Sequence, residues 1–272
     1  MFRLKRVLSA PARSLSPAAK RIFITGASSG IGRALALHYS RGGARLGLTG
    51  RREDTLTALA TALGENARAY CVDVRDACGM HSVAQQFLNE VGVPDIVIAN
   101  AGVSHGTLTG EREDIDTFQD IFDTNVIGMV KTFHPFIAPM AQLGCGKLVG
   151  IASVAGVRGL PGAGAYSASK AAAISYLESL RIELRPVGVK VITLLPGYID
   201  TPMTAGNPYP MPFLLTADDA ARRFARIIDQ GRSVAVVPWP MAIVARLLRI
   251  LPTAIYDALL ARAPRKPRRT AE

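Results

Sequence analysis

"RIFITGASSGIGRALALHY", residues 21–39, joins a short apolar run to a helical pattern through a turn rich in glycine. The run "RIFIT" (21–25) indicates a buried strand, because it is apolar without alternation. Gly26, Gly30 and Gly32 let the backbone turn tightly and approach a phosphate group at the start of a helix. The spacing is G-x-x-x-G-x-G, and a tight turn without a ligand is the alternative. Strand, turn and helix together predict the first unit of a dinucleotide-binding α/β fold.

The alternation of strands and helices continues to residue 238. The predicted strands are 21–25, 44–50, 67–72, 95–100, 147–153, 190–196 and 233–238. The predicted helices are 31–42, 52–63, 76–91, 111–142, 165–186 and 216–230. This repetition predicts a Rossmann-like, doubly wound parallel sheet of about seven strands, in a three-layer αβα arrangement.

No linker or shift in composition divides residues 20–238, so we expect a single α/β domain there. Prolines and glycines make residues 196–212 an irregular segment before the last helix and strand. Residues 1–19 are predicted as a basic N-terminal extension. Residues 239–272 are predicted as an amphipathic helical extension with a basic tail.

Charge is concentrated at the two ends of the chain. The formal net charge is +11, of which residues 1–21 contribute +6 and residues 262–272 contribute +4. The body of the protein is therefore close to neutral, which argues against a nucleic-acid groove on the fold. With 49% apolar and 19% charged residues, the 272-residue chain has the composition of a globular protein.

The sequence also bears on the cellular compartment. Three cysteines without metal-ligand spacing fit a reducing compartment, so we expect a cytoplasmic protein. The acid-free N-terminus resembles a transit peptide, but a basic surface extension explains it equally well and organellar targeting is disfavoured. The segment 241–262 is interrupted by charges and is no membrane span. Its amphipathic pattern predicts peripheral contact with an anionic membrane surface, and packing on the domain or a partner subunit is the alternative.

The end of the second strand bears on the choice of cofactor. Arg51 and Arg52 come first there, and Glu53 and Asp54 follow only after them. In dinucleotide folds an acid at this point holds the ribose hydroxyls, whereas an arginine accommodates a 2′-phosphate. The order favours NADP(H), with NAD(H) as the alternative, because a guanidinium binds phosphate and a carboxylate repels it. Asp73, after the third strand, is predicted to accept a hydrogen bond from the adenine amino group, or else to cap a helix.

Later strands end in further polar motifs. "NAG" (100–102) ends the fourth strand, "IASVAG" (151–156) ends the fifth, and the Tyr166-x-x-x-Lys170 pair begins the next helix. The carboxyl ends of parallel strands face one crevice, so we expect Ser153 and the pair to meet the glycine turn there. Alone, the four-residue spacing is explained as well by two polar residues on an alanine-rich helix.

The ordered set of motifs resembles the short-chain dehydrogenase/reductase family. The resemblance covers roughly residues 20–237, with no departure at a catalytic position. It comprises TGASSGIG (25–32), Asp73, NAG, Asn125 in "FDTNVIG", Ser153, Tyr166-x-x-x-Lys170 and "PG" (196–197). Each motif alone is weak, whereas the ordered set is specific. The resemblance implies an oxidoreductase, of the compact NADP(H)-preferring type, that transfers a hydride between nicotinamide and a ketone or secondary alcohol.

Elementary chemistry and the resemblance together assign roles to the catalytic set Asn125, Ser153, Tyr166 and Lys170. A ketone that accepts a hydride develops alkoxide charge and needs a proton donor, which predicts Tyr166 as general acid and base. The Lys170 cation, one helical turn away, is expected to lower the pKa of Tyr166. By the resemblance, Lys170 also binds the nicotinamide ribose, Ser153 orients the substrate oxygen and Asn125 holds a water that links Lys170 to solvent. For Asn125, a polar side chain bonded to backbone at a helix kink is the alternative.

The predicted cofactor site gathers the glycine turn, the strand ends and the segment after the sixth strand. It comprises Gly26, Ser28, Ser29, Gly30, Ile31, Gly32, Arg51, Arg52, Asp73, Val74, Asn100, Ala101, Gly102, Tyr166, Lys170, Pro196, Gly197, Ile199 and Thr201. By the resemblance, the last four line the nicotinamide. No His, Cys and carboxylate set has metal-ligand spacing, so no catalytic metal is expected.

The resemblance places the substrate beneath a lid at about residues 198–216. Residues 201–216 contain no charge, which predicts a small hydrophobic carbonyl or alcohol and not a phosphorylated or dicarboxylate compound. The predicted substrate contacts are Ser153, Val154, Tyr166, Met203, Tyr209 and His105. A homodimer or homotetramer formed through helices 111–142 and 165–186 is also implied. A catalytically silent dinucleotide-binding sensor or scaffold is the alternative function, and the intact catalytic set disfavours it.

Overall fold

A computed structural model describes residues 19–268 of the chain. Residues 1–18 of the predicted N-terminal extension and residues 269–272 of the basic tail lie outside the described residues, and predictions for them stay predictions.

A parallel sheet forms the centre of the fold. The strands are β1 (Arg21–Thr25), β2 (Arg45–Gly50), β3 (Ala67–Cys71), β4 (Ile96–Ala99), β5 (Lys147–Ile151), β6 (Lys190–Pro196), β7 (Ile199–Asp200), β8 (Leu215–Thr216) and β9 (Val234–Val237). Seven of them form the main sheet in the order β3-β2-β1-β4-β5-β6-β9, and every neighbouring pair is parallel. The predicted doubly wound parallel sheet is confirmed. The strand order reverses between β1 and β4, which is where open α/β sheets bind ligands.

Helices cover both faces of this sheet. They are α1 (Gly30–Arg41), α2 (Glu53–Leu63), α3 (Ala77–Glu90), α4 (Asp114–Phe122), α5 (Gly128–Leu143), α6 (Gly164–Leu184), α7 (Ala217–Gln230), α8 (Trp239–Ile250) and α9 (Thr253–Leu260). On one face, Leu35, Leu56 and Phe224 belong to a buried apolar cluster that joins α1, α2 and α7 to the sheet. Each such fully buried side chain stabilises the fold by roughly 1.5–3 kcal/mol.

On the other face, large helix side chains pack against glycines of the strands. Phe87 of α3 and Leu177 of α6 lie in the buried cluster of this face. A Cβ on Gly47 of β2 would lie 2.5 Å from the Phe87 ring, and a Cβ on Gly150 of β5 would lie 2.4 Å from Leu177. Glycines within two central strands therefore make room for large side chains of the helices, which fixes the height of α6 over the sheet.

The long helix predicted at residues 111–142 is divided in the structure. A π-helical turn, Asp123–Ile127, separates α4 from α5. Asn125 within this turn is fully buried, and its side-chain amide bonds to the backbone of Val103. A widened turn of this kind is common at functional sites, and a helical hydrophobic pattern does not reveal it.

The segment predicted as irregular, residues 196–212, begins with regular structure. Strand β7 pairs with β8, with Ile199 opposite Leu215 and Asp200 opposite Thr216. This short parallel pair closes the base of the lid segment next to β6.

The predicted C-terminal extension folds against the domain. Met241 and Ala245 of α8 are buried in an apolar cluster beside β6. The Arg158 guanidinium lies 3.8 Å from the centre of the Tyr256 ring in α9 and donates hydrogen bonds to the carbonyls of Leu248 in α8 and of Leu251, the residue after α8. Among the helices of residues 19–268, none has the length and hydropathy needed to cross a membrane.

Candidate active site

A cleft of about 370 Å³ opens at the carboxyl ends of the central strands. It runs from the turn between β1 and α1, past the ends of β2 and β4, to Tyr166 and Lys170 on α6 and then to Met203 in the lid segment. The parallel sheet therefore brings together motifs that lie more than a hundred residues apart in the sequence.

Glycines in the turn between β1 and α1 leave its backbone open to a ligand. Gly26 has a φ of +64°, and a Cβ on Gly32 would lie 2.3 Å from the carbonyl oxygen of Gly26. Asn100 holds the turn in place by donating hydrogen bonds of 3.1 and 3.0 Å to the carbonyls of Thr25 and Gly26. At the N-cap of α1, the Ser29 side chain caps none of the first amides. Those amides are free to bind a phosphate, so the cradle fits the pyrophosphate of a dinucleotide.

Two arginines lie at the far end of this cradle. Arg52 donates a 3.1 Å hydrogen bond to the hydroxyl of Ser28, and a terminal nitrogen of Arg51 lies 3.8 Å from the Asp73 carboxylate. Both arginines line the cleft, whereas the acids Glu53 and Asp54 do not. Arg51, Arg52 and Asp73, which the sequence predicts at the cofactor site, thus lie together at this end of the cleft.

Asp73 is engaged by a second, closer arginine. Arg75 donates to it from its backbone amide at 2.9 Å and from its guanidinium at distances down to 2.8 Å. Burial on its own would raise the pKa of Asp73, but these bonds and the Arg51 charge lower it below its usual value. The carboxylate therefore stays ionised at the rim of the cleft, where it remains an acceptor.

Tyr166 lines the inner end of the cleft, and Ser153 lies close to it. The two hydroxyls are close enough for Ser153 to influence the pKa of Tyr166, and the Ser153 hydroxyl accepts a 3.1 Å bond from the amide of Ala155. Burial raises the pKa of Tyr166, the nearby Ser153 hydroxyl lowers it in part, and the neighbouring Tyr209 raises it further. The tyrosine is consequently held protonated, which suits a proton donor.

The pKa of Tyr166 is raised overall, so the lowering that the sequence predicts from Lys170 does not prevail in this structure. The Lys170 ammonium lies 5.8 Å from the centre of the Tyr166 ring and donates a 2.9 Å bond to the carbonyl of Ile151. Burial lowers the pKa of Lys170 itself to about 8. Desolvation of both groups therefore outweighs their mutual attraction.

Asn125 lies behind this pair. Its amide oxygen accepts from the Val103 amide at 2.8 Å, and its amide nitrogen donates to the Val103 carbonyl and the Ser169 hydroxyl at 3.0 Å each. Gly102 separates it from the lysine, since a Cβ there would lie 3.1 Å from Asn125 and 3.6 Å from the Lys170 ammonium. The side chain matches the alternative of an amide bonded to backbone at a helix irregularity, and the water relay stays a prediction.

Most of the predicted cofactor residues line the cleft. The exceptions are Gly32, Gly197 and Ile199. Gly32 acts by letting α1 approach the turn, Ile199 is buried in the core, and a Cβ on Gly197 would lie 2.7 Å from Met241. Lining residues outside the predicted set are Gly50, Val72, Val103, Thr124, Ile151, Ala152 and Pro202. Most of them are apolar neighbours of motif residues and carry no signal of their own.

The predicted substrate residues separate into two groups. Met203 lines the cleft, and Tyr209 lies close enough to Tyr166 to influence its pKa. His105 lies half-buried in the loop after β4. Val154, by contrast, is buried in the apolar cluster beneath α8, so the structure gives it a packing role.

One residue near Tyr166 was not predicted from the sequence. The Lys266 ammonium lies 5.8 Å from the centre of the Tyr166 ring, although the two residues are a hundred positions apart. Nothing in the basic C-terminal sequence distinguishes Lys266 from its neighbours, because only the folded chain brings it to the site.

Comparison with known proteins identifies the family. Residues 20–209 match the family model described as short chain dehydrogenase. The chain belongs to the short-chain dehydrogenase family. An uncharacterized oxidoreductase of Myxococcus xanthus is 40% identical over 238 residues, which cover 86% of this chain and 94% of the relative.

Solved structures of short-chain dehydrogenases support the same assignment. A short-chain dehydrogenase/reductase from Burkholderia phymatum in complex with NAD matches with a TM-score of 0.77 at 25% identity, covering 93% of this chain and 98% of that chain. The alcohol dehydrogenase from the archaeon Thermococcus sibiricus complexed with 5-hydroxy-NADP matches with a TM-score of 0.73 at 27% identity, covering 80% of this chain and 96% of that chain. This short-chain dehydrogenase is therefore an NAD(P)-dependent oxidoreductase acting on CH–OH and C=O groups. A catalytically silent sensor finds no support in these comparisons.

Proposed function

We propose that the protein is an NADP(H)-dependent reductase of small hydrophobic ketones, and that it also oxidises the matching secondary alcohols. The position of Tyr166 carries this proposal: it lines the inner end of the dinucleotide cleft together with Lys170 and has Ser153 close beside it. This arrangement supplies a proton donor, an orienting hydroxyl and a cation in the place where a carbonyl would meet the cofactor.

The protein's own groups account for the proton chemistry. When bound, the nicotinamide supplies or accepts the hydride. The Ser153 hydroxyl orients the substrate carbonyl by a hydrogen bond, and Tyr166 gives its proton to the oxygen as negative charge develops there. Lys170 favours the tyrosinate that remains, because a cation close to a phenolate stabilises it. Asn125 positions the loop after β4 and the Ser169 hydroxyl behind this pair.

The preference for NADP(H) is supported by the arginines at the end of β2. Arg52 reaches across to Ser28 of the glycine turn, and Arg51 lies beside it, so both guanidinium groups border the adenosine end of the cleft. Glu53 and Asp54 do not line the cleft. Asp73 is the one carboxylate among the lining residues, and its ion pair with Arg75 offsets its repulsion of a 2′-phosphate.

A hydrophobic substrate is supported by the uncharged lid. Residues 201–216 carry no charge, and Met203 and Tyr209 stand at the mouth of the site near Tyr166. An apolar wall with a few convergent polar groups selects a ligand by its hydrophobic body and orients it by its carbonyl.

Steady-state reduction of a panel of ketones with NADPH and with NADH tests the proposal. We expect aliphatic and aromatic ketones to be reduced with a higher kcat/KM for NADPH, and phosphorylated or dicarboxylate ketones to react poorly. Equal kcat/KM values for the two cofactors would refute the NADP(H) preference. A preference for dicarboxylate substrates would refute the hydrophobic site.

We further propose that the protein forms a homodimer or homotetramer through α4, α5 and α6. Large apolar side chains on these helices and on the π-helical turn between α4 and α5 are exposed in the single chain: Ile115, Phe118, Ile127, Leu143 and Ile182. Burying them against a second copy would remove apolar surface from water. Light scattering coupled to size exclusion should give a multiple of the 28.9 kDa chain mass, and Ile182→Glu should shift it towards the monomer. A monomeric wild type would contradict this.

We also propose that the enzyme acts in the cytoplasm and touches anionic membrane surfaces through α8. Trp239, Ile243, Leu247 and Ile250 recur at helical spacing and are between 51% and 76% exposed. Arg246 is exposed on the same helix, so the face pairs apolar side chains with positive charge. That combination suits a surface of anionic lipids better than a second protein copy, because burying an arginine between copies is costly.

Co-sedimentation with vesicles tests the contact with lipid. The full chain should bind vesicles containing phosphatidylserine and should bind phosphatidylcholine vesicles weakly. Leu247→Glu should abolish binding, and Leu143→Glu on α5 should leave it unchanged. If Leu247→Glu instead changes only the oligomeric state, the α8 face is a subunit contact and the proposal is wrong.

A further inference from the structure

The last described residues cross the substrate side of the molecule. This C-terminal strap, residues 262–268, pairs with the loop after β4, where the Gly106 amide donates a 2.8 Å bond to the carbonyl of Pro267. A Cβ on Gly106 would lie 2.1 Å from the Lys266 carbonyl oxygen. The strap can therefore lie here because residue 106 has no side chain.

An ion pair fixes the end of the strap. Arg268 donates a 2.8 Å bond to the carboxylate of the buried Asp114, which also accepts a 2.7 Å bond from the Leu108 amide. Glu111 and Glu113 lie 3.5 and 4.0 Å from the same guanidinium. The bond from Leu108 and the charge of Arg268 hold the pKa of Asp114 below its usual value. The strap is thus attached by a specific cluster, and its side chains have defined positions.

Lys266 projects from this strap to the catalytic tyrosine. Its ammonium donates a 2.8 Å bond to the Ser104 hydroxyl and a longer, 3.4 Å bond to the Met203 carbonyl. It lies 5.8 Å from the centre of the Tyr166 ring, the same distance as the ammonium of Lys170. Lys170 lines the dinucleotide cleft and Lys266 does not. Two cations therefore flank one tyrosine, the first towards the cofactor and the second towards the substrate segments.

The charge of Lys266 lacks an anionic partner within the described part of the chain. No carboxylate of residues 19–268 forms an ion pair with it, although the side chain is partly buried and burial lowers its pKa. An ammonium has three donors, and one of the two bonds made here is long. A partly buried cation with unused donor capacity is unfavourable unless a ligand supplies an acceptor.

We propose that Lys266 is a specificity-determining residue that donates a hydrogen bond to a second carbonyl oxygen of the substrate. The substrates it selects are hydrophobic ketones in which an ester, thioester or carboxylate oxygen lies within a few bonds of the reacting ketone. The ketone oxygen contacts Ser153 and Tyr166, the second oxygen contacts Lys266, and the apolar remainder lies against the lid. This assignment rests on the proposed ketone reductase function and narrows its substrate class.

A pair of ketones of equal chain length tests the assignment. 2-Heptanone and ethyl 3-oxobutanoate share the methyl ketone and their length, and only the ester carries a second carbonyl oxygen. We expect Lys266→Met to lower kcat/KM for the keto ester about tenfold or more, the effect of losing a hydrogen bond to a charged group, and to change kcat/KM for heptanone less than twofold. The intrinsic reactivity of the two ketones cancels, because each is compared between wild type and variant.

Two further variants exclude trivial explanations. Arg262→Met removes a charge from an exposed position of the same strap and should leave both substrates unaffected. Arg268→Met releases the end of the strap without altering Lys266, and it should lower kcat/KM for the keto ester more than for heptanone. If Arg268→Met changes kcat/KM equally for both ketones, an ordered strap is not needed to bind the second carbonyl oxygen.

The outcomes separate this inference from the proposed function. If the wild type reduces neither ketone with either cofactor, the proposed function itself fails. If it reduces both and Lys266→Met lowers both equally, with a shifted pH profile, then Lys266 acts on Tyr166 and the specificity assignment is wrong. If Lys266→Met raises both rates, the strap obstructs the site, and this also overturns the assignment.

Discussion

The two halves of the cleft are built in different ways. The cofactor half, residues 21–102, is shaped by close approaches of the backbone around Gly26 and Gly32. The substrate half is assembled from residues 103–108, the lid at 198–216 and the C-terminal strap, and side-chain hydrogen bonds and ion pairs hold these segments together. The shape of the cofactor half depends on the absence of Cβ atoms at its glycines. The shape of the substrate half depends on contacts between side chains.

The difference has a consequence for substitution. A glycine required by a backbone contact of under 3 Å cannot be replaced without moving the chain. A contact such as that between Lys266 and Ser104 can be lost while the backbone stays in place. We therefore expect changes in the cofactor half to act on every reaction of the enzyme, and changes in the substrate half to act on some substrates more than others.

Tyr166 stands between the halves, and its loss should have the largest effect. We expect Tyr166→Phe to lower kcat/KM about 10²- to 10⁴-fold for every ketone, since general acid catalysis contributes that much. Binding of NADPH, followed by its fluorescence, should change little because the ring is retained.

Tyr209→Phe is the matched control for Tyr166→Phe. Tyr209 is the neighbouring phenol on the substrate side, and it raises the pKa of Tyr166. Its loss should lower kcat/KM much less, and to a degree that differs between ketones. Comparable losses in the two variants would show that Tyr166 is not the unique proton donor.

The next largest effect should follow from filling the glycine cradle. In Gly32→Ala the new Cβ would lie 2.3 Å from the Gly26 carbonyl oxygen and 2.5 Å from the Asn100 amide nitrogen. Backbone must move to relieve this contact, so we expect a loss of about 3 kcal/mol in the free energy of unfolding, at the upper end of overpacking costs, together with weakened dinucleotide binding. Urea denaturation and NADPH titration measure the two effects.

Gly110→Ala provides the comparison for Gly32→Ala. No atom lies within 4 Å of a Cβ built on Gly110, in the loop before α4. Stability and cofactor affinity should stay near those of the wild type. A Gly32→Ala variant as stable as Gly110→Ala would show that the cradle is not limited by this backbone contact.

The same distinction explains what could be predicted from the sequence. Strands of the main sheet and the glycine cradle follow from local patterns, because burial on both faces demands apolar runs and a close backbone demands glycine at fixed spacing. The resemblance to a known family supplied Asn125, whose π-helical turn leaves no trace in helical periodicity. Lys266 could not be found in this way. Its partners, Ser104 and Met203, lie far away in the sequence, and many residue pairs could make the same contact.

A third prediction concerns the charge of Lys170. Burial lowers its pKa to about 8 from the ordinary 10.5, so between these values the unfolded chain binds a proton that the folded chain does not. The free energy of unfolding should therefore rise with pH through this window, while below it both states are protonated and burial of the cation is fully penalised. Relative to Lys170→Met, the wild type should gain about 2 kcal/mol from about pH 7.5 to about pH 9.5.

Urea unfolding of the cofactor-free protein, followed by circular dichroism, measures this gain. Lys190→Met, at an exposed position at the start of β6, serves as the control and should show no such divergence from the wild type. If the stability of wild type and Lys170→Met runs parallel across the window, the ammonium is better solvated than its burial indicates.

The smallest effect is expected at the exposed edge of the cofactor half, where side chains and not backbone make the contacts. Arg52 is exposed and reaches Ser28, so its loss leaves the cradle intact. We expect Arg52→Ala to lower kcat/KM with NADPH about tenfold, the lower end for hydrogen bonds to a charged group, and to leave kcat/KM with NADH nearly unchanged. Arg41 is the last residue of α1, at the end of the helix away from the glycine turn, and Arg41→Ala should alter neither kcat/KM value. If Arg52→Ala lowers kcat/KM equally with both cofactors, the guanidinium supports the glycine turn through Ser28 and does not bind the 2′-phosphate. Even this exposed arginine would then belong to the rigid part of the site.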